Sequence, residues 1–152
     1  MSERFFAPCP RGLESVLAAE LARIGAAGVT TVDGGAGFIG PLEFACRANL
    51  ESRIASRILW RVGGGPYRDE HALYELVKAI DWKKLFLPTR TLRVDIAATR
   101  SPLPSLEFAT LRVKDAVCDR LRDDTRVRPS IDKRSPDVRV HVHLTDRDAT
   151  VY

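Results

Sequence analysis

Residues 29–41 read Val29-Thr30-Thr31-Val32-Asp33-Gly34-Gly35-Ala36-Gly37-Phe38-Ile39-Gly40-Pro41, and the job of these glycines decides the fold. Gly35 to Gly40 match G-x-G-x-x-G literally, follow a candidate strand and open a candidate helix, as a dinucleotide-binding loop does. Spacing argues against that reading. The next candidate strand ends in Leu59-Trp60-Arg61-Val62 and carries no acidic residue for a ribose where such folds place one, about 20 residues on. A helical pattern also precedes the glycines where such a domain begins with a strand, and 152 residues leave no room for the remainder. Tyr74 and Lys78 form a Y-x-x-x-K pair but lie too near the glycines to come from a later strand of a large sheet. The better reading is a hairpin: Val29–Val32, a turn at Asp33-Gly34-Gly35, a second strand over Gly37–Gly40, and Pro41 suited to a first helical turn.

Outward from the hairpin, Ser2 to Pro8 is a short strand centred on Phe5-Phe6-Ala7 and stopped by Pro8-Cys9-Pro10. Leu13, Val16, Leu17, Leu21 and Ile24 make the stripe of an amphipathic helix over 11–24, with Gly25 after its last turn. Pro41 to Ser52 reads as a second helix. Ile54, Ile58, Trp60 and Val62 then interleave with Arg53, Arg57 and Arg61, whose spacing of four puts them on one face of either a helix or a strand. The order strand, helix, strand, strand, helix, strand is the ferredoxin-like βαββαβ arrangement. Gly63-Gly64-Gly65-Pro66 reads as a linker that closes this domain at residue 65.

Residues 66–152 predict a second, α/β domain. Helical patterns cover Glu70–Ile80 and Ser105–Arg122, with a turn at Trp82–Phe86 between them. Thr91–Ala97 and Asp137–Leu144 alternate as half-buried strands, Leu92, Val94 and Ile96 inward in one, Val138, Val140, Val142 and Leu144 in the other. Ala149–Tyr152 begins a further strand, and a stop so soon after a turn reads as a piece of a longer protein. The fold class expected is α+β: a ferredoxin-like domain over 1–65 and an α/β domain over 66–152 that is incomplete at its C-terminus.

Composition narrows the function. At 45% hydrophobic residues the chain holds one ordinary core or two small ones, which excludes a large multidomain enzyme. No apolar run approaches the ~18 residues of a membrane span, and Met1-Ser2-Glu3-Arg4 is not followed by a signal-peptide core, so a cytoplasmic protein with no membrane partner is expected. Cys9, Cys46 and Cys118 lack metal or disulfide spacing and read as reduced interior thiols. His141-x-His143 has no evident third ligand, Gly63-Gly64-Gly65 lacks the ending of a P-loop, and no nucleophile–base motif stands out. The 24 cations exceed the 20 carboxylates and divide into 19 Arg and 5 Lys. Arg forks suit phosphates, although a GC-rich genome also favours Arg codons. The most cationic stretch runs from Arg120 to Arg139, seven cations (Arg120, Arg122, Arg126, Arg128, Lys133, Arg134, Arg139) against Asp123, Asp124, Asp132 and Asp137. Arg100, Arg112 and Lys114 would join it in an α/β unit. A solvated loop with local Asp–Arg pairs is the blander account.

The ordered set of short motifs carries a resemblance. Phe6-Ala7, Arg11-Gly12-Leu13-Glu14, Gly34-Gly35-x-x-Phe38-x-Gly40 and Ser52-Arg53-x-Ala55-Ser56-Arg57-Ile58-Leu59 resemble the opening of bacterial 23S rRNA guanine-N2 methyltransferases. Ala79-Ile80-Asp81-Trp82, Val113-Lys114-Asp115-Ala116-Val117, Arg128-Pro129-x-Ile131-Asp132 and Pro136-Asp137-x-Arg139-Val140 resemble that family's THUMP domain. The resemblance implies an S-adenosylmethionine-dependent parent whose methyltransferase domain follows Tyr152. It also implies that this region recognises RNA and has neither catalytic nor cofactor-binding residues, since the family's Asn/Asp-Pro-Pro-Phe/Tyr-type loop and its cofactor loop are absent. The expected partners are structured RNA, 23S rRNA in particular, and the parent's methyltransferase domain, with no DNA. Candidate RNA contacts are Arg100, Arg112, Lys114, Arg128, Lys133, Arg134 and Arg139, with Arg53, Arg57 and Arg61 as a second cluster. The competing class is a protein interaction module that binds other domains or subunits of the parent.

Overall fold

A computed structural model describes all residues 1–152, which form two compact units, Met1–Arg61 and Val62–Tyr152. In the first, β1 (Glu3–Pro8), α1 (Glu14–Ile24), β2 (Ala27–Val32), β3 (Gly35–Gly40), α2 (Leu42–Glu51) and β4 (Leu59–Trp60) follow in order. The sheet order β2-β3-β1-β4 with antiparallel neighbours is the ferredoxin-like topology inferred from the sequence. Phe5 and Phe38 are register partners on β1 and β3, their rings stacked at 5.2 Å, and Phe44 of α2 meets Phe38 edge-on at 5.6 Å. Leu17, Leu21 and Ile24 of α1 close this core. Gly25 ends α1 at φ 112, where its N–H and that of Ala26 reach back to the last carbonyls, a conformation that favours glycine.

The glycine segment is sheet, not loop. A Cβ on Gly35 would sit 2.5 Å from the Ala7 carbonyl oxygen and 2.5 Å from Phe6 Cζ, so the residue is glycine because β1 and Phe6 lie against it. Glu14 fixes the hairpin turn: its carboxylate accepts from Gly12 N at 2.8 Å and Gly34 N at 2.9 Å. The Gly34 N–H is the main reason the Glu14 carboxyl is held below its ordinary pKa.

Residues 52–58 depart from the periodic reading. Only Leu59–Trp60 pair as a strand, and the segment before them is irregular, so spacing alone does not gather Arg53, Arg57 and Arg61. The reason is Glu20, a buried carboxylate on α1 that accepts from Ser52 Oγ at 2.6 Å and from Arg53 N at 3.0 Å. The Arg53 N–H is thereby taken out of any helix or ladder.

The second unit runs β5 (Gly63–Pro66), α3 (Glu70–Lys78), a 3-10 turn at Trp82–Lys84, β6 (Leu92–Ala98), α4 (Leu106–Thr125), β7 (Val138–Leu144) and β8 (Asp148–Val151). Gly63–Pro66, expected as a linker, is instead the edge strand of a sheet ordered β5-β8-β7-β6, with Gly63 opposite Val151 and Pro66 opposite Asp148. Glycine serves there because Ile80 packs over Gly63 and Leu76 over Gly65. β6 and β7 pair in parallel across the α4 crossover, and the other neighbours are antiparallel. Asp69 caps α3 through Ala72 N at 2.7 Å and Ser105 caps α4 through Phe108 N at 3.1 Å. Leu73, Val77, Val113, Val117 and Leu121 of the helices meet Leu92, Val140, Val142, Leu144 and Val151 of the sheet, and Trp82 donates its indole N–H to the Val77 carbonyl inside this core. Cys9 and Cys118 are buried thiols as expected, but Cys46 on α2 is exposed.

Gly35→Ala is expected to destabilise the first unit by about 1–3 kcal/mol because a backbone carbonyl cannot move aside. Gly63→Ala meets only the flexible end of Ile80 and should cost less; urea melts of both variants check the order. At Glu20, burial alone would raise the carboxyl pKa, but the Ser52 hydroxyl and the Arg53 and Ile54 N–H groups outweigh it and lower it. Its stabilisation is therefore complete above about pH 4.3 and is lost as pH falls through the lower folded value. Glu20→Gln should lower stability at pH 7 by about 1–3 kcal/mol and flatten the acid limb of a melt series.

Candidate nucleic-acid interface

The cations of the second unit fall into two groups according to whether a carboxylate holds them. On the helical side, Arg112 lies over the Tyr74 ring at 4.4 Å, and the Tyr74 hydroxyl donates to Asp119 at 2.8 Å. Burial first, and then Asp119, pushes the Tyr74 hydroxyl pKa up. Lys78 pairs with Asp123 at 3.4 Å, so the Y-x-x-x-K residues clasp α3 to α4. Arg128 donates to Asp119 at 2.9 Å and to Asp115 at 3.5 Å, Lys114 pairs with Asp115 at 2.9 Å, and Arg120 bridges Asp124 and the Lys78 carbonyl. Arg112, Lys114 and Arg128, all candidates from the sequence, are thus engaged within the unit.

The loop between α4 and β7 is the opposite case. Asp132 accepts from Arg134 N at 2.9 Å and Ser135 N at 3.0 Å, which holds its carboxyl below the ordinary range, Ser135 contributing most. Asp137 accepts from Thr91 N at 3.0 Å and from the Thr91 hydroxyl at 3.2 Å and is lowered by them in that order. Asp132 is thus occupied by two backbone N–H groups, and Asp137 by Thr91 and, at 3.9 Å, by the Arg90 guanidinium. Lys133, Arg134 and Arg139 are left exposed with no carboxylate partner.

The strands place these cations together. Leu92 bonds Ser130 and Asp132 through its backbone, so the loop is pinned to the start of β6. Arg139 on β7 is the register partner of Arg93 on β6, whose guanidinium donates to Asp95 at 2.9 Å and to the Lys133 carbonyl at 2.9 Å. Arg93 is a residue that sequence reasoning missed; its link to Lys133 spans 40 residues and leaves no local signal. Arg100, exposed at φ 60 in the loop after β6, sits at the far end of that strand from Lys133 and Arg134. No group of three or more His, Cys, Asp or Glu side chains is arranged to hold a metal, and His143 Nε2 lies 3.3 Å from the Thr99 hydroxyl.

Comparison with known proteins agrees with this architecture. Residues 67–152 match the THUMP domain model, more than half of the chain. The chain belongs to the THUMP domain family. Residues 4–59, ahead of the THUMP domain, match the RlmL ferredoxin-like domain. A ribosomal RNA large subunit methyltransferase K/L from Syntrophotalea carbinolica is 44% identical over 145 residues, 95% of this chain and 20% of that protein. The enzyme of the same name from Aeromonas hydrophila is 38% identical over 149 residues, 98% of this chain and 21% of its own. Among solved structures, a protein described as a predicted N6-adenine-specific DNA methylase from Listeria monocytogenes superposes with a TM-score of 0.86 at 24% identity, covering 99% of this chain and 40% of its own, a likeness of fold. The chain therefore spans about a fifth of the curated relatives it matches. No helix is long and apolar enough to cross a membrane.

The two groups of cations should separate in stability measurements. Arg128→Ala removes a guanidinium shared by two carboxylates and is expected to cost about 1 kcal/mol. Lys133→Ala and Arg134→Ala should leave the thermal midpoint unchanged, which calorimetry of the three variants would check.

Proposed function

We propose that this chain is the RNA-recognition region of an S-adenosylmethionine-dependent 23S rRNA (guanine-N2) methyltransferase, working in the cytoplasm. It holds structured rRNA by phosphate and shape contacts so that a catalytic domain elsewhere in the parent reaches one guanine. The observation that carries the reading is the division of charge in the THUMP domain: Asp132 bonds the Arg134 and Ser135 N–H groups and Asp137 bonds Thr91 and pairs with Arg90, which leaves Lys133, Arg134 and Arg139 without a carboxylate and able to meet an external anion. The names of the curated relatives support rRNA as that anion. Arg100, Arg112, Lys114 and Arg128 rank lower as contacts, the last three because they are engaged internally, and Arg53, Arg57 and Arg61 lower again.

The cofactor belongs with the catalytic domain under this reading. The G-x-G-x-x-G stretch, Gly35–Gly40, is a strand paired with β1, with Phe6 and the Ala7 carbonyl against Gly35. This region then contributes binding and orientation, not a chemical step.

Binding of a structured 23S rRNA fragment across a salt series tests the proposal. The parent chain is expected to show a steep negative slope of log K against log salt, and a Lys133/Arg134/Arg139 triple alanine variant should lose about 0.7–0.9 of slope per contact removed. A variant at Arg112 and Arg128 should keep most of the slope. A flat parent slope with the protein folded would instead favour the protein interaction module.

A further inference from the structure

β6 is a free sheet edge, and its backbone groups alternate in direction. Thr91 and Thr99 bond β7, Val138 N to the Thr91 carbonyl at 3.0 Å and Thr99 N to the Leu144 carbonyl at 2.7 Å. Leu92 faces the other way, to Ser130 at 2.9 Å and Asp132 at 3.1 Å. By the period of two, the N–H and C=O groups of Val94 and Ile96 share the Leu92 side, where no strand pairs with them.

A cleft of about 340 Å³ opens along this edge between β6, α4 and the loop at Ile131, and it is floored by Val94, Leu111 and Ile131. Leu111 is 49% exposed and Ile131 42%, so two large apolar side chains face solvent there. Arg93, Lys114 and Lys133 stand at the rim. Of these, Arg93 neutralises Asp95 and Lys114 pairs with Asp115, whereas Lys133 takes no carboxylate. Glu107 completes the rim as an acceptor.

We infer that this cleft holds one unpaired nucleotide of the bound RNA. Val94, Leu111 and Ile131 offer apolar contact to a base ring, the edge N–H and C=O groups take its polar edge, and Lys133 takes its phosphate; these three features meet at this edge. The volume lies at the small end of ligand pockets, about 300–1,000 Å³, as a single nucleotide needs. Glu107 suits a base with an exocyclic amino group, as carboxylates do when they read cytosine. An added peptide strand would also use the backbone groups, but it has no need of a lysine without a carboxylate beside it. The inference rests on the RNA-recognition reading and refines it: phosphates along Lys133, Arg134 and Arg139 fix the register, and the cleft reads a base.

The test is amide and methyl NMR of the isotopically labelled chain titrated with each of the four nucleoside 5′-monophosphates, with ribose 5-phosphate as the probe that lacks a base. Nucleotides are expected to give saturable shifts at the Val94 and Ile96 amides and the Leu111 and Ile131 methyls, UMP the weakest. Ribose 5-phosphate should move only signals near Lys114 and Lys133. Leu111→Glu should weaken nucleotide binding about tenfold with the rest of the spectrum unchanged, since Leu111 is half exposed. Equal shifts with ribose 5-phosphate, or none at the edge amides, would overturn the inference. Edge shifts with an extended acidic hexapeptide but with no nucleotide would overturn it in favour of strand addition. The salt slope for structured RNA is read separately, so a chain that binds RNA through Lys133, Arg134 and Arg139 yet shows no edge shifts keeps the proposed function and loses only the cleft.

Discussion

The parallel ladder between β6 and β7 is the constraint on which the interface depends. Leu92 through Ala98 run alongside Val138 through Leu144, and parallel strands require a long crossover, here α4 and the loop after it. The crossover must return the chain to the start of β6, which brings residues 130–137 to lie against Thr91 and Leu92. Burial of Leu92, Val140, Val142 and Leu144 under α4 holds the ladder in register. Side chains on the opposite face then follow without further choice: Arg93 beside Arg139, Asp95 beside His141.

The electrostatics of the loop follow from that geometry. A loop that turns back onto a strand end has backbone N–H groups to satisfy; Asp132 does so locally, and Asp137 does so across the chain at Thr91. Asp132, which accepts two such bonds, still carries its charge, but its position is set by the backbone, and the cation beside Asp137 is Arg90, outside the loop. The long side chains of Lys133, Arg134 and Arg139 extend into solvent. On α4 the same residue types behave differently: Asp124 lies one turn from Arg120 and Asp119 one turn from Arg122, and Lys114 and Arg122 also pair with the adjacent Asp115 and Asp123. The same residue types therefore give an internally paired helix and a loop whose cations lack carboxylate partners.

Much of this was legible in the sequence. Strict alternation marked β6 and β7, apolar stripes marked α1 and α4, and the argument from spacing placed Gly37–Gly40 in a hairpin strand, which begins two residues earlier, at Gly35. Gly63–Pro66 was not legible as a strand, because glycines have no side chains to alternate and the pairing with β8 lies more than 80 residues away. Residues 52–58 misled because a spacing of four is shared by two periodicities and neither holds once Glu20 bonds Arg53 N. Within the site, Lys133, Arg134 and Arg139 stood out as a charge run. The internal engagement of Arg112 and Arg128 did not, since it joins α3, α4 and the following loop. Leu111 and Ile131 read as ordinary apolar positions, and only the fold shows them exposed beside a free edge.

The most direct measurement of the central claim is residue-level chemical footprinting of arginine and lysine side chains on the chain alone and with a structured 23S rRNA fragment, at low salt. The account predicts protection of Lys133, Arg134 and Arg139 on RNA binding, with Arg128 and Arg112 slow to react in both states because Asp119 and the Tyr74 ring already hold them. Protection confined to Arg53, Arg57 and Arg61, or no protection anywhere with the RNA bound, would contradict it.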